Sequence, residues 1–136
     1  MNTLTKVTLA SFALLIIPPV SANAMCGNGL AMTAESETTY EVSMDAGEQE
    51  ISTGNPLSVD VAICSNDDVA VERFKLDATM PAHGHGMNYV PEIEERGKNQ
   101  YSASGLFLHM PGKWRFEVSF SADGKTHRFY RDVDIE

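Results

Sequence analysis

The stretch from Trp114 to Phe120 most constrains what this chain can become: Trp114, Phe116, Val118 and Phe120 alternate with Arg115, Glu117 and Ser119. Successive side chains of a β-strand point to opposite faces, so this pattern calls for one face in a core and the other in water. A helix would scatter the same residues around its circumference. The alternation also reads Trp114 as a core residue rather than as a platform for a ligand.

The same period recurs along the chain. Thr39 to Met44 places Tyr40, Val42 and Met44 on one face, and Leu57, Val59, Val61 and Ile63 alternate with Ser58, Asp60, Ala62 and Cys64. Val69 and Val71, then Phe74, Leu76 and Ala78, predict a strand whose phase changes near Arg73, the signature of a bulge. A short strand is expected from Tyr89 to Ile93, with a turn over Glu95 to Asn99. Tyr101 to His109 reads as a further strand, stopped by Pro111-Gly112, and His127 to Ile135 as the last, after the turn Ala122-Asp123-Gly124. Seven short strands separated by turn clusters, without sustained helical periodicity, predict an all-β fold. The expected form is an antiparallel immunoglobulin-like β-sandwich, with a small barrel as the alternative.

Residues 1–24 read as a signal peptide: Lys6 precedes an apolar run through Ile17, and Ala22 and Ala24 offer a small-residue cleavage pattern. Pro18-Pro19 cuts that run short of the ~20 residues that a membrane-spanning helix needs, so no stable membrane insertion is expected after cleavage. Met25 stands where a lipoprotein signal has a small residue before its cysteine, which argues against lipidation at Cys26. One domain over residues 25–136 is expected, periplasmic or secreted. The whole chain carries a net charge of −9, and residues 1–24 hold only one charged side chain, Lys6. Such an acidic domain is a poor match for nucleic acid or an anionic membrane surface. Export also places Cys26 and Cys64 where disulfides persist, so a Cys26 to Cys64 bridge is the expectation and thiolate ligation the alternative.

One segment is richer in chemistry than the rest. Met80-Pro81-Ala82-His83-Gly84-His85-Gly86-Met87 packs two imidazoles and two thioethers into eight residues. Imidazole suits copper, zinc, nickel and iron, whereas thioether is soft and favours Cu(I). Copper, as Cu(I) or Cu(II), is thus the expected cofactor, with zinc as the alternative. The structural alternative is an ordinary glycine-rich turn with two surface histidines. In an extended conformation His83, His85 and Met87 would share one face, and they are the primary candidate donors. Met32 and Met44 are not assigned to the site.

Strand direction extends the candidate set. Successive antiparallel strands reverse, so turns alternate between the two ends of a sandwich. Counting from the strand that delivers Met80 to the upper end, the His109-Met110-Pro111 turn returns to that end. So does the loop Asp45 to Asn55, with Glu48 and Glu50. Met80, His109 and Met110 become secondary candidates. Cys64 and His127 fall at the lower end, and His127 is expected to take no part.

The run Met80-Pro81-x-His83-x-His85-Gly86-Met87, then Gly105-Leu106-x-Leu108, then Met110-Pro111-Gly112-x-Trp114 and an alternating strand, resembles the YtkA-like and FixH-like family of small exported or membrane-tethered domains. The likeness covers roughly residues 55 to 136. It implies an immunoglobulin-like sandwich, and some relatives are associated with copper handling, including cytochrome oxidase assembly. The chain differs from FixH-like proteins in having a signal of the cleavable type instead of a retained anchor, which argues against direct action at a membrane oxidase. No Ser/His/Asp arrangement, phosphate loop or haem-attachment motif is visible. The expected function is therefore non-catalytic: an exported copper carrier or chaperone whose partners are the metal ion and a protein of the cell envelope. A metal-free envelope interaction module is the alternative.

Overall fold

The computed structural model of the chain describes residues 26–136, and within them the alternation becomes ten strands and no helix. They are β1 (Leu30–Ala31), β2 (Thr33–Ala34), β3 (Glu41–Asp45), β4 (Pro56–Cys64), β5 (Glu72–Met80), β6 (His85–Gly86), β7 (Glu92–Gly97), β8 (Gln100–Phe107), β9 (Gly112–Ala122) and β10 (Lys125–Ile135). The expected signal peptide and its cleavage site lie outside the described residues.

Two antiparallel five-stranded sheets form a sandwich. One has the order β1-β3-β4-β8-β7 and the other β2-β10-β9-β5-β6. The alternating apolar residues meet between them: Val59, Val61, Leu106, Trp114, Phe116, Val118 and Phe120 are all buried. Burying such side chains stabilises a fold by about 1.5 to 3 kcal/mol each, which is why the pattern specifies the register as well as the layers. The bulge expected near Arg73 is present. The β5–β9 register slips between Glu72 and Lys75, and Arg73 takes a φ of 53°, a left-handed conformation that few side chains adopt.

One expected strand is displaced. Tyr89 to Pro91 does not pair; the strand begins at Glu92 and continues through Gly97, so the hairpin turn tightens onto Lys98-Asn99, with Asn99 at a φ of 56°. Pro91 lacks the amide hydrogen a ladder needs, and it marks where the chain crosses from the β6 edge of one sheet to the β7 edge of the other. Cys26 and Cys64 form the expected disulfide, with Cα atoms 5.6 Å apart, across the lower end where β3 begins and β4 ends. Closing a loop of 38 residues stabilises the folded state by about 4 kcal/mol in the chain-entropy account.

Candidate metal centre at the upper end

The segment after β5 folds back at once. The Met80 carbonyl accepts hydrogen bonds from the amides of both His83 and Gly84, each at 3.0 Å, and Gly84 adopts a φ of 67°. A left-handed residue inside a tight turn is where glycine is cheapest. The turn returns the chain as β6, which pairs His85 with Met80 and Gly86 with Thr79; next, the Met87 amide donates to the Ala78 carbonyl at 3.0 Å. Met80 and Ala78 are buried, so their partners His85 and Met87 share the inward side. His83 does not join them by strand alternation, because the backbone turns at 83 and 84 instead of running extended.

His85 is the middle ring of three. Its centroid is 5.7 Å from that of His83 and 5.2 Å from that of His109. His109 arrives from the β8–β9 connection, as the strand count predicts, and the loop before β4 closes on the same place, with the Gly54 amide donating to the Leu108 carbonyl. Behind the rings stands Trp114, fully buried, its ring centroid 6.2 Å from that of His85 and 5.4 Å from that of His109, each pair in a T-shaped arrangement. The indole Nε1–H donates to the Met110 carbonyl at 2.9 Å, fixing both the indole and the turn that carries His109. Trp114 thus packs in the core and also floors the histidine cluster.

The thioethers are distributed differently from the imidazoles. Met80 is buried opposite His85, and its Cε lies only 2.8 Å from where a Cβ on residue 112 would stand. Gly112, at a φ of 129°, therefore makes room for the Met80 side chain. Met110 is half-buried against the core. Met87 lines a groove on the side of the sandwich with Phe74, Leu76 and Tyr89. Glu48 and Glu50 are exposed on the upper loop.

His127 occupies the other end. It pairs with Phe120 in the β9–β10 ladder, six residues along β9 from Trp114, or about 20 Å at 3.3 Å per residue. Its Nδ1 lies 3.2 Å from Thr38 Oγ1, and its ring sits 4.6 Å from Tyr40 and 5.3 Å from Phe120. Its Nε2 is buried without a hydrogen-bond partner among the described residues. Burial, and then the hydrogen bond to Asp123, push the neighbouring Tyr40 phenol above its ordinary value.

Two features of the cluster escape sequence reasoning. The tryptophan floor and the Gly112 to Met80 contact both depend on β5 and β9 lying side by side, which no local pattern reveals. Among the described residues, no group of three or more His, Cys, Asp or Glu side chains stands in a geometry that could hold a metal ion. No protein-family model matches the chain, and no curated protein matches it.

Proposed function

We propose that the protein is an exported, non-catalytic copper carrier that holds the ion at the upper end of the sandwich. The observation that supports this reading is the convergence of His83, His85 and His109, drawn from two connections far apart in sequence, on one patch beside a buried thioether. With metal to imidazole bonds of about 2.0 Å, two rings sharing one ion at angles near 110 to 120° have centres about 5.2 to 5.5 Å apart. The His83 to His85 and His85 to His109 separations, 5.7 and 5.2 Å, are near this range. Two imidazoles and the Met80 thioether make a mixed soft set that requires no third nitrogen or oxygen, and such a set favours Cu(I) over zinc. The resemblance to YtkA-like and FixH-like domains points the same way. Rings at the surface would leave the ion open to exchange with a partner, as a carrier needs.

Competition against a Cu(I) chelator tests the proposal. The double substitution His83→Ala with His85→Ala should weaken Cu(I) binding by at least a hundredfold. Its unfolding free energy should fall by no more than about 2 kcal/mol, since His83 is exposed and only the half-buried His85 loses packing against Trp114. His127→Ala is the matched control, and its copper affinity should not move. Equal affinity in the double variant and the parent would defeat the assignment. Absence of copper binding by the parent would favour the metal-free interaction module instead.

A further inference from the structure

The two long sides of the sandwich differ in how they are covered. On one side β1 and β2 add to the edges of both sheets. On the other, among the described residues, β5 is joined by β6 only at Thr79 and Met80, so its outer edge from Glu72 to Asp77 pairs with no strand, and β7 is the edge of the facing sheet. Between these edges lies a groove of about 520 Å³ lined by Phe74, Leu76, Met87, Tyr89, Val90 and Ile93, among others. Three of the four large hydrophobic side chains exposed among the described residues are here: Tyr89 at 57%, Val90 at 94% and Ile93 at 37%. Apolar side chains exposed singly are ordinary, whereas a contiguous patch of them marks an interaction surface.

Charge selects the occupant. The β5 wall carries Lys75 and Asp77, which offset one another, whereas the neighbouring β7 strand carries Glu92, Glu94 and Glu95, so carboxylates are in excess on the β7 side. Arg96 pairs with Glu94 at 3.0 Å, and Glu92 and Glu95 are in no ion pair among the described residues. A second copy of this chain would bring the same carboxylates against these, and charged edge strands are a known means of preventing self-pairing. A segment that sets its basic side chains toward β7, away from Lys75, meets no such repulsion. We infer that this groove docks an extended segment of another protein, one that alternates apolar and basic residues, as an added strand on the free edge of β5. The added strand would satisfy the edge amides and carbonyls of Glu72 to Asp77, seat its apolar side chains against Phe74, Val90 and Ile93, and set its lysines or arginines near Glu92 and Glu95. This surface does not depend on copper.

The probe is a synthetic Lys-Val-Lys-Val-Lys-Val peptide added to the metal-free protein, with Glu-Val-Glu-Val-Glu-Val as its counterpart, followed by amide NMR shifts. The basic peptide should move the amides of Glu72 to Asp77 and Met87 to Ile93, with affinity falling at least tenfold in Val90→Ser and again with added salt. Val90 is almost fully exposed, so this substitution removes contact with the peptide and little packing. Silence with the basic peptide, equal response to the acidic one, or shifts confined to the outer sheet faces would overturn the inference. So would groove shifts that appear on concentrating the protein alone, which would assign the surface to a second copy. Because copper is absent throughout, failure here leaves the copper proposal standing.

Discussion

At the lower end of the sandwich His127 has Thr38 at one ring nitrogen and is held between Tyr40 and Phe120, whereas at the upper end His83 and His109 are exposed and meet another imidazole or the edge of Trp114. The lower end also has the disulfide, the Tyr40 to Asp123 hydrogen bond, and the Asn99 side chain, which bonds the backbone of both Val69 and Val71. The upper end is tied instead by backbone turns and by the indole bond to Met110. The same residue type thus serves packing where its neighbours close around it and is free for chemistry where they do not. What separates the two is the number of partners already engaged, not the imidazole itself.

The severest way to break this contrast is to cut the covalent link at the lower end. Cys26→Ser with Cys64→Ser should lower the unfolding free energy in urea by about 4 kcal/mol, the value expected for a closed loop of this length. The contrast also requires that Cu(I) affinity, measured under conditions where the variant is folded, changes less than threefold. A large loss of affinity would show the two ends to be coupled.

A smaller effect belongs to the upper end. Gly112→Ala puts a methyl group 2.8 Å from Met80 Cε on a backbone at a φ of 129°. The strained backbone alone should cost about 2 kcal/mol. Because Met80 must move, Cu(I) affinity should fall as well, about tenfold, which chelator competition would read alongside the urea transition. A stability loss with no change in affinity would remove Met80 from the donor set.

The smallest effect lies on the outer face between the ends. Arg115 donates two hydrogen bonds to Asp132, at 2.7 and 2.9 Å, and these hold the Asp132 carboxyl below its ordinary value. A depressed carboxyl stabilises the fold at pH values above its unfolded value and loses that contribution as pH falls through the folded value. Urea stability should therefore decline below about pH 4, with Asp132 supplying roughly half a kcal/mol or less, since the pair is partly exposed and screened. Arg115→Met should flatten that part of the profile and leave both ends of the molecule unchanged.

Much of the sandwich was legible because burial and period coincide. Leu57 to Ile63 and Trp114 to Phe120 each present one dry face, and the phase change at Arg73 announces the bulge. β7 was misplaced because all of its residues are exposed, so no alternation marks it, while Tyr89-Val90 mimics a strand. β1 and β2, two residues each, are too short to show any period. At the candidate site the convergence of His109 with His83 and His85 followed from counting reversals. There the sequence left an extended segment and a glycine-rich turn both open, and two hydrogen bonds to the single Met80 carbonyl decide for the turn at His83 and Gly84.

The first described residues, from Cys26 to Ala34, bridge the sandwich: the chain is bonded to the end of β4, adds β1 to one sheet, buries Met32, and adds β2 to the other. This binds the molecule like the spine of a book, covalently and by hydrogen bonds to both covers. The opposite side is crossed by the chain at Asn88 to Pro91 and is tied below by side chains alone, Asn99 to Val69 and Val71 and Phe74 stacked on Tyr101. Side-chain ties open before a covalent one, so when the sheets breathe they should part first along the fore-edge between β5 and β7 and last at the disulfide.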